Sequence, residues 1–182
     1  MGRNMGKRSN FERINKDKYD TIDPRAVPPL IPHVEGINYV EPCAGKGCLI
    51  DQLAQHGLKC TAAYDIEPES FGIEEKDALT ITHVEHQIIT NPPWDRKLLH
   101  PMITHFITLG VDVWLLFDAS WAYTEQAVPY LKNCHKIVVV PRLQWFRKTD
   151  SSAQDDCAWY LFKPYRNTDG GPIFINERGK KK

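Results

Sequence analysis

The chain has 182 residues, 42% of them hydrophobic, which is enough for one domain with a full core. No apolar run approaches the length that spans a bilayer, and residues 1–10 lack the apolar stretch of a secretory signal, so a cytoplasmic protein is expected. The formal net charge is zero, yet residues 1–18 carry +4 and residues 176–182 carry +3, which leaves −7 on the body between them. Basic ends suit phosphate-contacting arms or solvating tails, and the charge alone does not choose between them.

In chain order, residues 1–18 read as a flexible basic leader, 19–165 as a single domain and 166–182 as a basic tail. The proline-dense approach from Asp23 to Pro32 is expected to be extended or irregular. Residues 37–40 read as a strand and 47–56 as a helix with Leu49, Ile50, Leu53 and Ala54 on one face, stopped by Gly57. A strand over 59–66 follows, then a weak short strand and turn over 72–79, then a strand over 87–90. The spacing of Leu98, Leu99, Met102, Ile103, Phe106 and Ile107 predicts a helix ending at Gly110. Residues 111–117 form a buried-type strand, 125–133 a helix despite Pro129, and 137–140 and 158–162 the last strands.

This alternation predicts an α/β fold with a mostly parallel sheet covered by helices on both faces. The last two strands have no convincing helix between them, which predicts an antiparallel edge. Ligands of such sheets bind at the carboxyl ends of the strands, near the switch in strand order.

The five cysteines (Cys43, Cys48, Cys60, Cys134 and Cys157) contain no Cys-x-x-Cys pair and read as reduced thiols. His83 and His86 lack a second ligand pair, so no metal site is expected.

Directly after the first strand comes Glu41-Pro42-Cys43-Ala44-Gly45-Lys46-Gly47, opening the first helix. Its glycines allow a tight turn and a close ligand approach. It is neither a dinucleotide fingerprint nor a phosphate loop, and its leading Glu41 argues for a cationic ligand. The second strand ends at Asp65-Ile66, where a carboxylate suits ribose hydroxyls, and Asp77-Ala78 follows the next short element. Each acid alone reads equally as a turn or helix cap. As an ordered set behind a glycine loop, they fit a positively charged nucleoside such as S-adenosylmethionine.

Behind the strand 87–90 stands Asn91-Pro92-Pro93-Trp94. The prolines end the strand. Asn91 supplies an amide acceptor, Pro92 a fixed carbonyl and Trp94 an aromatic face, together a socket for a planar group bearing –NH₂. The plainer alternative is a Pro-Pro turn capping a buried strand.

The order glycine loop, Asp65, Asp77, Asn91-Pro92-Pro93-Trp94 resembles class I S-adenosylmethionine-dependent methyltransferases, and most of all the small phage-type DNA N6-adenine methyltransferases. The resemblance covers about residues 19–163 and implies a Rossmann-like sheet of seven strands with an antiparallel last strand. It implies that Glu41, Pro42, Cys43, Ala44, Gly45 and Gly47 wrap the methionine part of S-adenosylmethionine. Asp65 and Ile66 would hold its ribose, Asp77 and Ala78 its adenine, and Tyr19 and Thr21 its carboxylate, with Asn91 shared between cofactor and substrate. Asn91, Pro92, Pro93 and Trp94 would be the catalytic set. Arg142, Trp145 and Lys148, in a segment similar to the family's Arg-x-x-aromatic strand, would meet DNA. For Trp145 and Phe146, core packing of one of the two is the stronger expectation. Little chain remains for a target-recognition domain. The same socket also suits an RNA base or a glutamine amide, and a cofactor-binding protein without turnover is a further alternative.

Overall fold

The computed structural model describes residues 19–145 and 154–176; Phe146, Arg147 and Lys148, the leader before Tyr19 and the end of the tail lie outside them. The strands of the main sheet are β1 (Asn38–Glu41), β2 (Lys59–Asp65), β3 (Glu74–Glu75), β4 (Gln87–Thr90), β5 (Val113–Asp118) and β6 (Cys134–Val139). A small ribbon pairs β7 (Leu143–Gln144) with β8 (Gln154–Asp155); β9 (Cys157–Phe162) and β10 (Ile173–Ile175) rejoin the main sheet. The order across it is β10-β6-β9-β5-β4-β1-β2-β3. All pairings in it are parallel except those of β9, which runs antiparallel to both β5 and β6.

Three expectations change. The antiparallel strand is interior, not an edge, which its six consecutive buried residues explain: a strand flanked on both sides and covered on both faces has no solvent-facing position. Residues 173–175, read above as tail, form an eighth strand against β6. The helix expected over 125–133 is a 3₁₀ turn, Glu125–Ala127, followed by the short α3 (Val128–Leu131). Pro129 has no amide to donate and its ring clashes one turn back, which the first turn of α3, where it sits, accommodates.

Side-chain alternation divides the core into two layers. Val113, Leu115 and Phe117 of β5, with Tyr160 and Phe162 of β9, face α2 (Arg96–Thr108), which contributes Leu99, Ile103 and Phe106. Trp114 and Leu116, with Trp159 and Leu161, face the other way. There they meet Leu49 and Leu53 of α1 (Cys48–Gln55) and the fully buried Ala26, Val27 and Leu30 of the proline-dense segment. That segment is therefore part of the core, fastened by the Trp159 indole N–H to the Ala26 carbonyl at 2.8 Å. Among the described residues, no helix is long and apolar enough to cross a membrane.

Candidate active site

β1, β2 and β4 end on the same side of the sheet, and the loops that leave them enclose a cavity of about 350 Å³. Its lining draws together residues far apart in sequence: Tyr19 and Thr21, then Pro42, Cys43, Ala44 and Gly45 after β1. Asp65 and Ile66 after β2, Asp77 and Ala78 after β3, and Asn91 and Pro93 after β4 complete the predicted residues on its wall. Asp20, Cys48, Glu67, Leu79, Leu98 and Met102 also line it and were not foreseen. Leu98 and Met102 were visible only as part of an apolar helical stripe. Their spacing of four puts them on one side of α2, where both border the cavity and Met102 also belongs to the core.

The glycine loop is held from three directions. The Ala44 amide donates to the Tyr64 carbonyl at 2.8 Å and the Gly45 amide to Asp65 Oδ2 at 2.7 Å. The Lys46 amide and ammonium reach Asp20 at 3.3 and 3.0 Å. Gly45 has φ +52°, which favours glycine, and a Cβ built on it would stand 2.9 Å from Asp20 Oδ1, so any other residue would also displace that carboxylate. Gly47, at φ +79°, precedes α1 and faces away from this cavity toward Ile73.

Glu41 is fully buried under the loop. Its Oε1 accepts from the Cys43 amide at 3.2 Å, and the buried Thr90 hydroxyl stands beside the carboxyl; both favour its charge. Burial pushes its carboxyl up to about 8. Burial also raises the Cys43 thiol.

Asp65 and Asp77 both cap local turns, the plainer of the two readings offered above. Asp65 Oδ1 accepts from the Glu67 amide at 2.8 Å and Asp77 Oδ1 from the Leu79 amide at 2.9 Å, both as local caps. Both residues nevertheless border the cavity, and a carboxylate has lone pairs beyond those bonds.

The Asn91 side chain has a single satisfied orientation. Its Nδ2 donates to the Tyr19 carbonyl at 2.9 Å and to Thr21 Oγ1 at 3.1 Å. Its Oδ1 accepts from the Trp94 indole N–H at 3.0 Å, and that N–H is shared with the Leu116 carbonyl of β5 at 3.2 Å. Pro92 is buried and Pro93 half-buried. Trp94 is half-buried, its ring set at 89° and 5.2 Å from Trp145.

On the expected substrate side the structure corrects one residue. Trp145 is 6% exposed and belongs to the core layer, packed against Trp94 and Tyr19, so it backs the socket instead of facing a base. Arg142 is exposed, with Nε 3.5 Å from Asp156 Oδ1. Lys148 lies outside the described residues. The segment is anchored by Asp23, which the sequence did not single out. Its buried carboxylate accepts from the Arg25 guanidinium and from the Gln144 amide at 2.9 Å, and Arg25 donates onward to the Arg142 carbonyl at 3.0 Å. Burial opposes the Asp23 charge, but these donors outweigh it and hold the carboxyl below its ordinary value.

No protein-family model matches the chain, and no curated protein sequence matches it either. Solved structures do. A Thermoplasma acidophilum protein superposes with a TM-score of 0.53 at 16% identity, over 75% of this chain and 78% of that one. A proposed RNA methyltransferase of Pyrococcus horikoshii gives 0.52 at 12% identity, over 75% and 79%. A proposed class I S-adenosylmethionine-dependent methyltransferase of Listeria monocytogenes gives 0.54 at 12% identity, over 83% of this chain and 61% of that one. At such identities the likeness speaks for the fold, and the fold is the Rossmann-like methyltransferase sheet.

Proposed function

We propose that this chain is an S-adenosylmethionine-dependent N-methyltransferase that modifies the exocyclic N6 amino group of adenine in DNA. The observation that carries the reading is that Asn91 opens onto the cavity bordered by the glycine loop, Asp65 and Asp77. The cavity fits the cofactor on three counts. Its volume, about 350 Å³, lies in the range of small-molecule sites. Asp20, Asp65, Glu67 and Asp77 favour a cation, while Ile66, Leu79, Leu98 and Met102 offer apolar walls to a nucleobase.

When bound, S-adenosylmethionine supplies an electrophilic methyl group on a sulfonium, and the protein's task is alignment and exclusion of water. Asn91 Oδ1 and the Pro92 carbonyl accept the two N–H bonds of the target amino group. That turns the nitrogen lone pair toward the cavity and stabilises the positive charge that develops on it. The proton then leaves to solvent. The base reaches the socket flipped from a duplex or single-stranded, with the accessible part of Trp94 against its face. Arg142, whose ion pair with Asp156 is exposed and therefore weak, exchanges that partner for a phosphate, and Lys148 follows in the same segment.

A second reading keeps the chemistry and changes the substrate to an RNA base or a glutamine amide. The −7 charge of the body favours a peptide amide over either nucleic acid, whereas the fold neighbour from Pyrococcus is itself proposed to act on RNA. Labelled methyl transfer to DNA, RNA and protein offered side by side separates these. Label in DNA supports the leading reading; label confined to RNA or protein replaces it.

A further inference from the structure

We propose that Trp94 is a positioning residue whose indole N–H, as distinct from its ring, sets the Asn91 carboxamide for the amino group to be methylated. This rests on the function proposed above. The indole N–H can only donate and the Tyr19 carbonyl can only accept, so the two fix which end of the Asn91 amide is oxygen. One carboxamide thereby joins three segments: residues 19–21 on the cofactor side, the strand end itself, and the tryptophan three residues on.

Trp94 is a fixed anchor and not a plug that must swing away. Its N–H is shared with Leu116 O in the middle of the sheet, and its ring abuts Trp145 and touches both core layers. An amide oxygen accepts two hydrogen bonds. With one taken by Trp94, a single direction remains at Oδ1 for the incoming N–H, which turns a broad acceptor into a directional one. Phenylalanine could supply the ring but not this constraint. The linkage has a second consequence. A ligand that touches Tyr19 or Thr21 shifts the Asn91 amide, and the shift is felt at the Trp94 indole.

Two measurements test this. In the first, Trp94→Phe and the sulfur isostere benzothienylalanine at the same position remove the donor, the isostere preserving ring shape. Turnover should fall about 10- to 100-fold, the scale of a misaligned reacting group. The cofactor Kd and the substrate KM should stay within about twofold. In the second, the Trp94 indole N–H resonance of ¹⁵N-labelled wild-type protein, identified by its loss in Trp94→Phe, should be protected from solvent exchange and should move when S-adenosylmethionine saturates the free protein. Wild-type turnover by the isostere overturns the proposal, as does an indole resonance unmoved by the bound cofactor. If the wild-type protein binds S-adenosylmethionine but transfers no methyl group to DNA, RNA or protein, the functional reading fails instead. The resonance experiment then decides the linkage by itself.

Discussion

The Gly45 amide donates to Asp65 Oδ2 across 2.7 Å, so the acid at the end of β2 holds the glycine loop at the end of β1. Asp65 thus has two tasks, shaping the loop and bordering the cavity where a ribose would sit. Asp65→Asn removes the charge from two hydrogen bonds, each worth about 1.5–3 kcal/mol when charge-assisted. The variant is expected to lose about 1–3 kcal/mol of stability in urea unfolding and at least about tenfold in S-adenosylmethionine affinity by calorimetry. Affinity lost without any loss of stability would show that Asp65 does not hold the loop.

Gly45 and Asp20 form a second coupled pair. Gly45→Ala introduces a Cβ into a left-handed backbone, costing about 1–2 kcal/mol, and sets it 2.9 Å from Asp20 Oδ1. In an Asp20→Ala background the steric part vanishes and the backbone part remains. A double-mutant cycle on unfolding free energies should therefore show coupling of at least about 0.5 kcal/mol, with Gly45→Ala less harmful in the Asp20→Ala protein.

Glu41 predicts a particular pH dependence. In the unfolded chain it ionises near 4.5, and in the folded chain near 8, because burial disfavours its charge. The stability it contributes is whole below about pH 4.5. It declines by up to about 1.4 kcal/mol per pH unit as the unfolded state alone gives up its proton, and is gone above about pH 8. Glu41→Gln has no such proton. The variant's unfolding free energy relative to wild type should rise from about pH 5 to 8 and level off beyond, measured by urea unfolding across that window. A flat difference would mean that Glu41 is ionised in the folded protein at neutral pH.

The parts of this site that are local in sequence were legible there. Pro42 to Gly45, Asp65, Asp77 and Asn91 each lie at or just past a strand end, so finding the strands located them on the cavity wall. The remainder depends on contacts that no local pattern encodes. Trp94 reads as an exposed stacking surface until the Leu116 carbonyl, 22 residues away, is seen to accept its N–H. Asp23 looks like one residue of an irregular approach, and its partner Gln144 lies 121 residues on. The interior position of β9 arises from long-range pairing with both β5 and β6, while its apolar run fits a central strand of either direction. β10 is three residues long, too short for an alternating pattern to announce it.

Asn91 carries the most distinctive mutational expectation. Asn91→Ala deletes the acceptor for the target amino group and also both bonds to Tyr19 and Thr21. Transfer should become undetectable, and cofactor affinity should fall about 5- to 30-fold, as expected for one or two hydrogen bonds lost. Titration of S-adenosylmethionine into the variant measures the second effect; unchanged affinity would place the cofactor out of reach of the Tyr19–Thr21 segment.

The most direct test of the account is nucleoside analysis by mass spectrometry of unmethylated DNA incubated with S-adenosylmethionine and either the wild-type protein or Asn91→Ala. N6-methyladenine is expected with the wild-type protein and none with the variant. Methylation elsewhere on the bases, or N6-methyladenine formed equally by both proteins, would contradict it.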